Sequence, residues 1–318
     1  MFLRSCHFFN HQSPSTQQAP IRCDKVTVTR RSLIFSPSRR SGHSSLEPAP
    51  NLPPELERHI FEIAAFIHPP CMPVLLLVAQ RAKIWIEPLL YRMLRIHPAH
   101  TPGKSRVPVQ YIPRLIESRP LSFFHDHLRH LSLFVDSSDV DAVMRFLAVC
   151  NATVDLQLFL QKPQSLTPSR RTAVAPTVRR FITSVPPLFR NITHLALYNS
   201  GSRDWNTWSG LAQLPCLTHL SFHNSPVDPA FCHEALMHCK SLETLAICVE
   251  KHNANRGLPD YATAAIDPRF MILAVANLPW DWEIGARGGE DRWVTADELV
   301  GKRRSGATQE CRFGFDDD

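Results

Sequence analysis

Six times between residues 128 and 275 the chain returns to one short apolar run, and the interval between copies is nearly constant. The copies are Leu128-Arg129-His130-Leu131-Ser132-Leu133, more weakly Val154-Asp155-Leu156-Gln157-Leu158, then Ile192-Thr193-His194-Leu195-Ala196-Leu197. Leu217-Thr218-His219-Leu220-Ser221-Phe222, Leu242-Glu243-Thr244-Leu245-Ala246-Ile247 and a weaker Arg269-Phe270-Met271-Ile272-Leu273 complete the series. Their central residues, 131, 156, 195, 220, 245 and 271, stand 25, 39, 25, 25 and 26 apart. Alternation inside each run signals a strand, and a fixed interval signals one unit used repeatedly, none able to bury its own apolar side. The long step is one interval plus about 14 residues, a surplus that matches the polar, basic piece from Gln161 to Arg171 and reads as an inserted loop.

Helical spacing fills the intervals: Val140, Val143, Met144, Leu147 and Ala148 in one, Ala230, Phe231, Ala235 and Leu236 within Pro229 to His238 in another. The period and the Leu-x-x-Leu-x-Leu order resemble leucine-rich repeats, with Asn199 and Asn224 close to the usual asparagine. That resemblance implies a short strand on a concave side and a helix on a convex side of each unit. His130, His194 and His219 alternate with the leucines, so they are expected on the concave surface.

Ahead of the repeats, residues 51 to 94 are densely apolar and have defined ends. Asn51 is placed to cap a helix, Pro53 and Pro54 suit its first turn, and Glu55 and Glu57 suit its positive end. Leu52, Leu56, Ile60, Phe61, Ile63 and Ala64 gather on one side of that helix. Pro69, Pro70 and Pro73 end it; a second helix is expected through Leu75–Ala79 and Ile84, and a third through Pro88-Leu89-Leu90-Tyr91. A bundle of about 45 residues is marginal alone and needs a neighbour or partner to cover it.

Leu52-Pro53-x-Glu55-Leu56, Ile60-Phe61, Val78, Arg81 and Trp85 resemble the F-box, closest to divergent F-box-like sequences of mushroom-forming fungi with runs like Trp85-Ile86-Glu87-Pro88-Leu89-Leu90-Tyr91. Ala79 stands where that family usually has Cys, and Pro69-Pro70-Cys71-Met72-Pro73 remodels the centre. The resemblance implies docking on a Skp-type adaptor, and through it a cullin, by Leu52, Pro53, Leu56, Ile60 and Phe61.

The fold class expected is α/β: an N-terminal helical F-box-like hairpin or bundle followed by an irregular leucine-rich-repeat solenoid. Its divisions are a disordered basic extension over 1–50, the helical module over 51–96 and a Pro-rich connector over 97–127 with one helix through Leu115, Ile116, Leu121 and Phe123. The repeats occupy 128–275 with the insert near 161–171, a Trp- and Gly-rich segment over 276–304 caps the stack, and 305–318 frays. In that segment, three tryptophans between Trp280 and Trp293 read as a loop sealing the open end, followed by a helix through Ala296, Leu299 and Val300.

Charge sharpens the reading. The net +6 is concentrated in residues 1 to 50, where seven basic residues against two acidic ones give +5, so no folded basic face for nucleic acid is expected. That extension, acid-poor and rich in Arg and Ser, also fits a mitochondrial transit peptide. Otherwise the location expected is cytoplasmic or nuclear, with nine cysteines, an odd number and none in Cys-x-x-Cys spacing, held as thiols. No stretch approaches the roughly 20 apolar residues of a membrane span. The sequons at Asn151 and Asn191 fall on expected strands and read as chance.

Chemistry is sparse. Cys232-His233-Glu234 through His238-Cys239 is the best metal candidate, but on a helix His233 points away from the two cysteines. Gly285-x-x-Gly288-Gly289 lacks the order of a phosphate loop, and no nucleophile elbow or zinc-protease pair occurs. The expectation is a non-enzymatic protein without metal or cofactor, a substrate-recognition subunit of a Skp-cullin-F-box type ubiquitin ligase. Its unknown protein target would meet Arg129, His130, Thr193, His194, Thr218, His219, Glu243 and Thr244. The alternative is a leucine-rich-repeat interaction scaffold with no ligase role, in which Leu52, Pro53, Ile60 and Phe61 are buried against the repeats.

Overall fold

The computed structural model describes residues 52–97, 107–135, 140–160, 189–198, 205–223, 227–253 and 258–314. The expectations for the basic extension, Asn51, the insert at 161–171, Asn199 and Asn224 lie outside the described residues. The chain enters with α1 (Pro54–Ile67), whose first amides, those of Leu56 and Glu57, donate to the Pro53 carbonyl at 3.0 Å. A 3-10 turn over Pro69–Cys71 and a single turn over Met72–Leu75 follow, and then α2 (Gln80–Tyr91). The expected second helix is thus divided at residues 76–79, and the expected third is the last turn of α2, which accommodates Pro88.

Nine strands form one all-parallel sheet: β1 (Met93–His97), β2 (Val107–Pro108), β3 (His130–Val135), β4 (Asp155–Leu160), β5 (His194–Tyr198), β6 (His219–His223), β7 (Thr244–Glu250), β8 (Phe270–Val275) and β9 (Arg312–Phe313). Their order is β2-β1-β3-β4-β5-β6-β7-β8-β9. The recurrent leucines set the register: Leu131 pairs with Leu156, Leu156 with Leu195, Leu195 with Leu220 and Leu220 with Leu245. Leu245 pairs with Phe270 and not with Met271, so the last step is 25 residues as well. The extra residues between β4 and β5 leave the pairing intact.

One turn geometry precedes β3 to β7. The Arg92 carbonyl accepts from the amides of Arg129 and His130, that of Arg129 from Val154 and Asp155, and that of Val154 from Thr193 and His194. Thr193 then accepts from Thr218 and His219, and Thr218 from Glu243 and Thr244. Asn151 and Asn191 lie in these turns and not on strands; the Asn191 side-chain amide donates to the Asn151 carbonyl at 2.6 Å.

The leucine side of the sheet buries against crossover helices. α3 (Ile112–Glu117) and α4 (Leu121–His127) take the place of the single helix expected there, because Pro120 disfavours helical backbone at the residue before it. α5 (Val140–Leu147) and α6 (Pro229–His238) follow, the latter capped by Asp228, which accepts from the Ala230 amide at 2.9 Å. Phe124, Phe146, Trp208 and Phe231 are fully buried between these crossovers and the strand leucines.

The opposite face is also covered. α7 (Leu278–Ala286) and α8 (Arg292–Arg304) lie across it, burying Leu278, Ala296, Leu299 and Val300 on Ala196, Tyr198, Ala246, Cys248, Met271 and Leu273. The expectation of a helical module followed by an irregular leucine-rich-repeat solenoid is corrected by this arrangement. The described chain is an α/β fold built on one nine-stranded parallel sheet with helices on both faces. The segment over 276–304 covers a face where sealing of an end was expected, the helical segment runs directly into β1, and the tail contributes β9. The leucine interval reports strand spacing; whether the second face stays open depends on residues outside the repeated runs, which a period does not contain.

Two helical glycines behave oppositely. A Cβ at Gly285 would overlap the carboxylate of Asp291, the residue whose Oδ1 caps α8 by accepting from the amides of Trp293 and Val294. At Gly301 a Cβ meets nothing within 4 Å. Gly301→Ala should raise stability by about 0.5–1 kcal/mol through helix propensity, whereas Gly285→Ala should lower it by about 1–3 kcal/mol by forcing the cap aside, both read from urea melts.

Candidate functional site

The five residues expected to meet an adaptor occupy α1 and its approach. Leu52, Leu56 and Ile60 are 55, 53 and 53% exposed, Pro53 is exposed, and Ile63 and Ile67 extend the stripe along the helix. Phe61 turns the other way and is half-buried, its ring 6.2 Å from that of Trp85. It joins a small core of Ala65, Met72 and Ile86 that holds α1 on α2. Val74, Leu77, Val78 and Ile84 are likewise more than half exposed. The inner side of the helical segment is satisfied, and its outer side is apolar without cover among the described residues.

The residues expected to meet a target sit at the starts of β3, β5, β6 and β7. Arg129 braces the turn, donating to the carbonyls of Ala152 and Asp126 at 3.0 Å each. Thr193 and Thr218 donate to the carbonyls of Val154 (3.1 Å) and Thr193 (3.2 Å), and Glu243 is exposed. His130 lies 3.2 Å from Asp155, and the His194 and His219 rings stack at 4.2 Å. These histidines alternate with the strand leucines, but the surface they share is not open. His219 is 5% exposed with Nε2 2.8 Å from Asp297 Oδ1, Thr244 is fully buried and donates to the same oxygen at 3.4 Å, and Trp293 stands edge-on to both rings at 5.4 Å. His219 and Thr244 therefore face α8.

Beyond that first row, parallel register produces a ladder of rings. His97, Phe134, Phe159, Tyr198 and His223 stack successively at 3.8, 3.7, 3.8 and 4.2 Å across five neighbouring strands. Identical positions on in-register parallel strands lie about 4.8 Å apart, which brings flat side chains face to face. Between the two rows Ser132 donates to Gln157 Oε1 at 3.0 Å, and Gln157 Nε2 donates to the Tyr198 hydroxyl at 2.7 Å.

Sequence reasoning missed the charged residues that close this face. Arg95 Nη1 donates to Glu283 Oε2 at 3.1 Å, joining β1 to α7. Arg292, on α8 and almost fully buried, donates to Asp281 Oδ2 at 2.7 Å. Arg303 donates to the carbonyls of Asp267, Phe270 and Ala265 and ties the end of α8 to the start of β8. Nothing in the order of residues pairs Glu283 with Arg95 or Asp297 with His219.

Burial suppresses reactive chemistry. It pushes the thiols of Cys232 and Cys248 up to about 12 and that of Cys239 to about 11. Among the described residues no group of three or more His, Cys, Asp or Glu is placed to hold a metal ion, and no helix is long and apolar enough to cross a membrane. Among known proteins, no family model matches the chain, and no curated protein matches it.

Burial also holds two imidazoles neutral. It lowers His194 from 6.5 to about 4, helped by the neighbouring His219, and it lowers His223 well below its ordinary value, helped by Arg292. A group depressed in the folded state contributes stability that is complete above the unfolded value and is lost as pH falls. Stability should thus fall from about pH 6.5 toward 4, each of the two histidines contributing a slope of about 1.4 kcal/mol per pH unit once the unfolded chain is protonated. His223→Phe, which keeps the ring ladder, should remove one such slope from urea titrations at pH 7.5, 6 and 5. An unchanged slope would show that His223 takes up its proton without unfolding.

Proposed function

We propose that the chain is a non-catalytic recognition subunit that attaches to a partner protein through the apolar stripe Leu52, Leu56, Ile60, Ile63 and Ile67. The observation that carries the reading is the exposure of that stripe on a helix whose opposite side packs on α2 through Phe61 and Ala65. Apolar residues repeated every three or four positions along one helix, rimmed here by Glu55, Arg58 and His59, form the kind of surface that enters a groove on another protein. The scaffold alternative required Leu52, Pro53, Ile60 and Phe61 to be buried against the repeats; Leu52, Pro53 and Ile60 are exposed, which does not favour it, and Phe61 is half-buried against α2.

The F-box resemblance of residues 52–85 supplies the partner class: a Skp-type adaptor, and through it a cullin-RING ubiquitin ligase. In that setting the partly exposed turn residues Arg129, Thr193 and Thr218, with the exposed Glu243, are the side offered to a protein target. The contribution would be proximity, raising the local concentration of a target lysine, and no bond chemistry is asked of this chain.

A pull-down with purified adaptor tests the proposal. Leu52→Ala/Ile60→Ala removes exposed side chains, so the folded state should change by no more than about 0.5 kcal/mol per site while adaptor recovery falls at least about tenfold. Recovery equal to wild type would remove the docking assignment, and absence of wild-type binding would remove the ligase reading.

A further inference from the structure

A cavity of about 300 Å³ lies where the helical segment, β1 and α7 meet. Phe66 and Met72 line it from the helical segment, Leu90 from the last turn of α2, Leu94 from β1 and Leu115 from α3. Its charged wall is lopsided: Arg92, Arg95 and Arg287 stand against one carboxylate, Glu283. Both Glu283 oxygens are already engaged, Oε2 by Arg95 Nη1 at 3.1 Å and Oε1 by Arg287 Nη2 at 2.9 Å. One carboxylate shared between Arg95 and Arg287 leaves the wall net positive, and a guanidinium carries five donors, of which Arg287 gives one to Glu283.

Sites for small molecules combine apolar walls with a few polar groups that fix one end, in volumes from about 300 Å³ upward. We propose that this cavity binds a small amphipathic anion, its apolar body against Met72, Leu90, Leu94 and Leu115 and its carboxylate at Arg287. A cationic ligand would meet three guanidiniums. A neutral apolar one would fill the walls and leave the charged end unanswered, so it binds more weakly. The occupant touches the helical segment, β1 and α7 at once, and so braces the joint between the apolar stripe of α1 and the sheet.

Decanoate and its neutral analogue decanol, titrated into the full chain by calorimetry with thermal melts alongside, test this. Saturable one-to-one binding of decanoate is expected, at least about tenfold tighter than decanol, with a melting temperature raised by on the order of 5 °C at roughly a hundredfold excess over Kd. Arg287→Gln should bring the two affinities together. Leu90→Trp, which fills the cavity, should abolish both, and Leu115→Phe provides the same block should Leu90→Trp fail to fold. No saturable binding, equal affinity for the two probes in wild type, or decanoate binding undiminished by a folded cavity-filling variant would overturn the proposal. Leu52→Ala/Ile60→Ala lies outside the cavity and should bind decanoate normally, so failure of adaptor docking and failure of this site are separable.

Discussion

In-register parallel pairing is the constraint on which the rest of this molecule depends. Parallel strands cannot be joined by a tight turn, so every step along the sheet carries a crossover, and those crossovers supply the other half of the core. Phe124, Phe146, Trp208 and Phe231 are buried because leucines of neighbouring strands arrive at the same height. A slip of one residue would send Ser221 and His223 into that core and Leu220 and Phe222 out of it, so the register is strongly specified. The paired amides on each turn carbonyl fix where β3 to β7 start, and the ring ladder from His97 to His223 follows from the same alignment.

A face carrying histidines, Ser132, Gln157 and Tyr198 is an unusual floor for two helices, and ionic contacts hold the covering in place. Arg95–Glu283 and Arg292–Asp281 are both nearly out of solvent. Buried pairs add little net stability compared with apolar packing, yet losing one partner costs about 3–5 kcal/mol because the other is left charged and dry. Their effect is therefore positional. A displaced α7 would strand Arg95, and a shift of α7 against α8 would strand Arg292, whereas the apolar contacts beneath them tolerate sliding. Asp297 adds a third fixed point by meeting His219 and Thr244 together.

This division explains what was legible in the sequence. The strands over 130–275, helix Pro229–His238 and the helix through Ala296, Leu299 and Val300 were readable because period and capping are local. So was the exposed stripe from Leu52 to Ile63, whose spacing is its own evidence of a face. The covering of the second face was not readable, since Arg95 and Glu283 are 188 positions apart. Nor was the split of the helical segment: Pro73 signals an interruption without saying on which side the helix resumes. The two-residue strands β2 and β9 carry too little pattern to announce themselves; they exist because β1 and β8 leave edges to be paired.

The contrast between the two ends of the chain bears on how it works. Where the sheet offers apolar surface, helices bury it on both faces, and ion pairs fix those on the second. The same chain leaves Leu52, Leu56 and Ile60 more than half exposed, although turning α1 by part of a revolution would hide them. Such a rotation would withdraw Phe61 and Ala65 from Trp85 and Ile86 and leave them exposed in turn. Two apolar sides on one short helix cannot both be satisfied within this fold, and each 100 Å² left in water forgoes about 2.5 kcal/mol. A second macromolecule resolves that conflict without disturbing the sheet. Because the end of α1 also borders the cavity at Phe66, whatever docks on the outer side and whatever fills the cavity bear on the same helix.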